Sequence, residues 1–159
     1  MIAKNKILSN DELCLQLAKA SRPVVMTNGV FDLIHRGHVS YLNDAAKLGS
    51  VLVVGINSDR SVRLQNKGPD RPINSDSDRA FVLAGLVSVD YVTFFDELTP
   101  IQLVGLVRPD IYVKGGDYQI EELDEAKLVK SWGGAAYSIP YIEGFSSTSL
   151  INRIRNFEI

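Results

Sequence analysis

The chain has 159 residues, 45% of them hydrophobic, with 17 Lys plus Arg against 19 Asp plus Glu for a formal charge of −2. A chain of that size buries roughly two-thirds of the surface its unfolded form exposes, so one core forms without a disulfide or metal staple. Near-neutral charge lacks the cationic footprint of a protein that grips nucleic acid by its phosphates. The longest mid-chain apolar run, Val51 to Ile56, falls far short of the roughly 18 residues that span a bilayer. No nucleic-acid or membrane partner is expected. Met1 to Leu8 has no apolar signal-peptide region and the single Cys14 has no partner for an internal bridge, so a reducing, cytoplasmic setting is expected.

In chain order, Ser9 with Glu12 forms a capping box for a helix through Leu13, Leu17 and Ala20, stopped at Arg22-Pro23. Val24 to Met26 is a short buried strand bounded by Asn28-Gly29. From Gly37 the period becomes helical, with Val39, Leu42, Ala45, Ala46 and Leu48 on one face and Gly49 as the expected C-terminal cap. Val51 to Ile56 is a second strand. Asn57 to Ser77 is polar and punctuated by Gly68-Pro69 and Arg71-Pro72, which predicts no regular element along its whole length. Ser75 with Asp78 opens a helix through Leu86, and Asp90 to Phe95 is a strand rich in Val and aromatics. Thr99-Pro100 reads as an N-cap followed by proline at the first helical position, with the helix ending before Arg108-Pro109. Ile111 to Val113 is a strand closed by Gly115-Gly116. Glu121 to Trp132 reads as one amphipathic helix, acids first and Lys127 and Lys130 last, as the helix dipole favours. Ala136 to Tyr141 is the last strand. Ser146 to Phe157 is the last helix, with Leu150, Ile151 and Ile154 expected on its inner face.

Short unbroken apolar strands alternating with helices describe an open α/β fold, a parallel sheet covered on both faces, in one domain over residues 1–159. Ligands of such sheets bind beyond the carboxyl ends of the strands, so the loops after strands carry the candidate chemistry. The first of them, Thr27-Asn28-Gly29-Val30-Phe31-Asp32-Leu33-Ile34-His35-Arg36-Gly37-His38, runs from a strand into a helix N-terminus. Glycines allow close backbone approach, and free amides at a helix start favour an anion. His35 and His38 are the only histidines, and their three-residue spacing points both the same way on a helical turn. Two imidazoles there suit phosphate oxygens. Capping and packing alone is the plainer role for a single histidine, but the pairing favours ligand contact. A metal site from His35, His38 and Asp32 fits poorly, because zinc-protease helices place their histidines four apart around a glutamate. No metal ligand is expected.

The run Thr27-Asn28-Gly29-Val30-Phe31-Asp32 leading into His35-Arg36-Gly37-His38 resembles the His-x-Gly-His signature of the cytidylyltransferase-like nucleotidyltransferases. The resemblance continues at Gly55-Ile56-Asn57-Ser58-Asp59, Lys67-Gly68-Pro69-Asp70-Arg71-Pro72, Asp78-Arg79, Arg108-Pro109-Asp110, Val113-Lys114-Gly115-Gly116-Asp117-Tyr118 and Ser146-Ser147-Thr148-Ser149. Within that superfamily the set is most similar to the D-glycero-β-D-manno-heptose 1-phosphate adenylyltransferases, in the stand-alone form rather than the form fused to a ribokinase-type sugar kinase. The resemblance implies a Rossmann-like open parallel sheet of five strands with helices on both faces. It implies nucleotidyl transfer from ATP, with Mg2+, to a sugar 1-phosphate, and relatives are often homodimers. The runner-up readings are a cytidylyltransferase for a small alcohol phosphate such as glycerol 3-phosphate and a nucleotide-binding module without chemistry.

The same resemblance assigns roles. His35, His38, Lys67 and Lys114 are expected to be catalytic. Thr27, Asn28, Gly29 and Phe31 would bind the nucleotide, together with Asp117 and Tyr118 at ribose or base and Ser146, Ser147 and Thr148 at phosphate. Asp32, Arg71 and Arg79 would serve the sugar phosphate, with Asp32 orienting the histidine loop. Cytidine-using relatives often carry an arginine shortly before the serine-threonine segment. Here Tyr141-Ile142-Glu143-Gly144-Phe145 stand instead, and Arg153 or Arg155 can substitute only by turning inward.

Overall fold

Five strands, β1 (Val24–Gly29), β2 (Val51–Asn57), β3 (Tyr91–Phe95), β4 (Ile111–Gly115) and β5 (Ala135–Ile139), form one all-parallel sheet in the order β3-β2-β1-β4-β5. The computed structural model describes residues 2–65, 68, 70–116, 118–140, 142 and 144–157. The α-helices are α1 (Asn10–Leu17), α2 (Arg36–Ala46), α3 (Asp59–Leu64), α4 (Asp76–Ala84), α5 (Ile101–Val107), α6 (Asp124–Ser131) and α7 (Ser147–Arg155). Two short 3-10 turns, Ala3–Lys6 and Ile120–Glu122, complete the order.

Alternation along the strands sends side chains to two apolar layers. Val25, Leu52, Val54 and Val92 pack with Leu42 and Ala45 of α2 and Ala80 and Leu83 of α4. Val24, Met26, Val53 and Tyr112 pack with Leu13 of α1, Leu103 and Val107 of α5, and Ala126 and Val129 of α6. Burial on both faces explains why the strands read as continuous apolar runs. The chain moves outward from β1 through β2 to β3, then crosses back to place β4 on the other side of β1. That reversal between β1 and β4 opens the crevice in which ligands of such sheets bind.

Several expected boundaries shift. The polar segment after β2 does contain a helix, α3, because Ser58 accepts from the Ser61 amide and caps it. Pro100 itself, not Thr99, is the N-cap of α5. The expected helix over 121–132 divides into the 3-10 turn and α6, with Leu123 extended between them. Gly49 is not the cap residue of α2, which is Lys47. A Cβ at Gly49 would lie 2.5 Å from the Pro23 carbonyl oxygen, so glycine there permits the approach of two backbones. On α7, Ile151 is buried but Ile154 is 59% exposed.

Candidate nucleotide-binding site

A cavity of about 810 Å³ lies over the carboxyl ends of β1 and β4, within the usual range for small-molecule sites. Asn28, Gly29, Phe31 and Asp32 line it from the loop after β1, joined by His38 of α2. Lys114 and Tyr118 line it from the β4 side, Ser147 and Thr148 from the start of α7, and Arg71 from the loop before α4. Segments far apart in sequence therefore meet at one strand edge.

The histidines divide their work. His35 is the N-cap of α2, its ring nitrogen Nδ1 accepting from the His38 amide at 3.4 Å. The two rings stack with centroids 3.8 Å apart, and only His38 borders the cavity. A Cβ on Gly37 would come within 3.1 Å of the His35 ring, so a side chain here would press on the stacked ring. Phe31 holds φ 51, a left-handed conformation costly to a bulky residue, and its ring lies 5.2 Å from that of His38.

Burial first, and then the neighbouring His35, push the His38 imidazole down to about 4, with the Leu33 carbonyl acting in the opposite direction. Burial also lowers His35. His38 is thus neutral at pH 7 in the unliganded protein. Between its ordinary pKa of 6.5 and about 4, the unfolded chain binds a proton that the folded loop refuses. Stability from this group is complete above pH 6.5 and declines by up to about 3 kcal/mol as pH falls toward 4. Urea midpoints from pH 7.5 to 4 should therefore drop more steeply for the native chain than for His38→Gln; parallel curves would contradict the shift.

Asp32 has a narrower task than expected. Its carboxylate, 2% exposed as a residue, accepts from Arg71 Nε at 2.6 Å and from the amides of Ile73 and Asn74 at 2.9 and 3.0 Å. With its oxygens occupied by protein donors, it orients Arg71 and ties the loop before α4 to the histidine loop. The Nη groups of Arg71 have no acceptor among the described residues, and Arg71 lines the cavity.

Three other expected ligand residues do not line the cavity. Arg79 is 1% exposed and donates to the carbonyls of Asn74, Val30 and Asn57 and to Asp59 Oδ1, at 2.6 to 3.1 Å. Its guanidinium is spent on clamping the loops after β1 and β2. Thr27 is fully buried and its hydroxyl bonds that of Tyr41, which donates to the Val113 carbonyl at 3.1 Å and so fixes α2 to the sheet. Ser146 caps α7, accepting from the Ser149 amide at 3.0 Å. Lys67 and Asp117 lie outside the described residues, as do Tyr141 and Glu143.

Arg155, one of the two arginines the sequence offered as substitutes, lines the cavity mouth with an exposed guanidinium paired with Asp70 at 2.9 Å, while other contributors were hidden from sequence. Thr148, Ile151, Asn152 and Arg155 stand at i, i+3, i+4 and i+7 on α7, the one sequence signal that could have shown a single face. Asn57, Gln65, Leu98 and Thr99 make an uncharged wall above β2 and β3. Arg108-Pro109-Asp110 acts elsewhere: Asp110 accepts from the Val24 amide at 2.6 Å and from Arg22 at 2.9 Å, at the amino edge of the sheet. Among the described residues no three His, Cys, Asp or Glu side chains converge as a metal site, and no helix is long and apolar enough to cross a membrane.

Comparison with known proteins agrees with this architecture. A D-beta-D-heptose 1-phosphate adenylyltransferase of Bordetella bronchiseptica is 54% identical over 154 residues, covering 96% of this chain and 95% of that protein. A bifunctional protein HldE of Koribacter versatilis is 47% identical over 96% of this chain, which spans only 32% of that longer protein. The crystal structure of a lipopolysaccharide core biosynthesis protein from Thermoplasma volcanium superposes with TM-score 0.60 at 32% identity, covering 75% of this chain and 95% of that one. The cytidylyltransferase-like family model matches residues 26–153, a span that runs from β1 through the histidine loop to α7, and the chain belongs to that family.

Proposed function

We propose that the chain transfers an adenylyl group from ATP to D-glycero-β-D-manno-heptose 1-phosphate, giving ADP-heptose and pyrophosphate. The observation that carries this reading is the cavity in which His38, Arg71, Lys114 and the start of α7 meet. Similarity along almost the whole length of a heptose 1-phosphate adenylyltransferase supports the choice of substrates.

The sugar phosphate is already an anionic nucleophile near neutral pH, so no side chain need deprotonate it and no covalent enzyme intermediate is required. Catalysis consists of aligning two repelling anions and stabilising charge at the α-phosphoryl group as pyrophosphate leaves. The α7 amides and Lys114 hold the nucleotide phosphates, while Tyr118 lies beside the nucleoside. His38 and Arg71 meet the charge that develops in line between the two substrates. His35 acts through the stack, and Lys67 and Asp117 keep their expected phosphate and ribose roles. The uncharged wall of Asn57, Gln65 and Thr99 suits a sugar body. Asp32 is filled by protein donors, and the other carboxylates lining the cavity are Asp70, paired with Arg155, and Glu125, so the described residues offer no cluster of three ligands for a resident Mg2+. In this reading magnesium would arrive with ATP and would supply neutralisation of phosphate charge. Use of ATP is consistent with a cytoplasmic setting, and a homodimer is the expected assembly.

Pyrophosphate release should be fast with ATP and the heptose 1-phosphate and slow with CTP or GTP. Faster release from CTP with glycerol 3-phosphate, or none with any pair, would overturn the assignment. Lys114→Ala should weaken ATP binding at least about tenfold, the loss expected of one charge-assisted phosphate contact; unchanged affinity by calorimetry would remove Lys114 from the phosphate site.

A further inference from the structure

Asn28 is the penultimate residue of β1, at the point where the sheet reverses, 8% exposed and bordering the cavity. Its Oδ1 accepts two hydrogen bonds, from the Tyr112 hydroxyl at 2.6 Å and from Lys114 Nζ at 3.1 Å. Tyr112 is wholly buried in β4 and does not line this cavity, so it does not touch a ligand held there. Burial, reinforced by Glu125, raises its pKa, so the hydroxyl stays protonated and can act as a donor. A carboxamide has one acceptor end and one donor end. With two donors fixed on Oδ1, its orientation is determined, and Nδ2, without an acceptor among the described residues, is the end left for a ligand.

We propose that Tyr112 is a positioning residue for the nucleotide site. Its hydroxyl locks the Asn28 carboxamide so that Oδ1 steers the Lys114 ammonium and Nδ2 presents its N–H groups to a phosphate oxygen. The inference deepens the adenylyltransferase reading, resting on the cavity as a nucleotide site. Asn28 is thereby a contact residue that discriminates by polarity, since its ligand-facing end only donates. Exchanging that end for an oxygen would set a negative acceptor against an anion while preserving size and both internal bonds.

The test is the affinity for ATP, measured by titration calorimetry on the full chain, in a cycle of Tyr112→Phe and Asn28→Ala. Tyr112→Phe is expected to weaken binding about tenfold in the native background and less than about twofold once Asn28 is alanine, the non-additivity of groups acting as a unit. Equal losses in both backgrounds, or no loss in the native one, would overturn the proposal, because a packing role in β4 does not pass through Asn28. Asn28→Asp supplies a second arm that does not depend on Tyr112→Phe folding. It should bind ATP at least about 100-fold more weakly, a like-charge penalty inside a cavity, and near-native affinity would equally overturn the proposal. Failure of the native chain to bind ATP would instead overturn the nucleotide reading, and this inference with it.

Discussion

His38→Ala lowers the turnover of pyrophosphate release at least about 100-fold, equivalent to about 2.7 kcal/mol of transition-state stabilisation, with the fold intact. The magnitude is that of removing one preorganised donor from a site of developing charge. Tolerance of the fold follows from the surroundings. Nδ1 of His38 is buried without a hydrogen-bond partner among the described residues, so truncation removes an unsatisfied atom and forfeits only the Leu33 carbonyl contact and the ring packing. The helix cap survives as well, because His35 accepts from the backbone amide of residue 38. Thermal unfolding and steady-state kinetics on one preparation separate the two effects. Near-native turnover in a folded His38→Ala protein would remove the imidazole from the mechanism.

Arg79→Met should reverse that pattern, with stability lost by about 3–5 kcal/mol, the cost of breaking one side of a buried charged network. Methionine matches the length of the side chain but donates to none of the four acceptors that Arg79 serves. Three are backbone carbonyls, at the end of β2, in the loop after β1 and in the loop before α4, so all three segments lose their common anchor. A domain of this size has roughly 5–15 kcal/mol in total, which makes the loss a large share of it. Urea denaturation reads it directly. Native stability combined with a raised KM for the sugar phosphate would return Arg79 to the ligand set.

Arg79 also shows where sequence reading stops. Asp78-Arg79 opens a helix at the expected place, capped by Ser75 as the capping pattern predicts. Nothing local records that its guanidinium points into the protein and not into the cavity, because its acceptors are carbonyls from distant loops. Strand positions were legible, since burial on both faces leaves continuous apolar runs. The histidine loop was legible too, because strand, glycine and helix start are all local signals. Helix α3 was obscured by the glycine and proline that follow it, although Ser58 was available as its cap. Tyr112 read only as an apolar strand residue, and its bond to Asn28 depends on β1 and β4 being neighbours across 84 residues of chain.

The bond from Asp32 to Arg71 has a consequence for the entropy of binding. An arginine that must be immobilised by its ligand loses on the order of 1–2 kcal/mol of rotamer freedom on capture. Here the Nε bond and the two amides of residues 73 and 74 have already stilled that side chain and its loop when the chain folded. The phosphate therefore meets a fork that is in place before arrival, and little of the binding free energy is diverted into arresting motion. A weakly charged protein can in this way hold two polyanions with few cations.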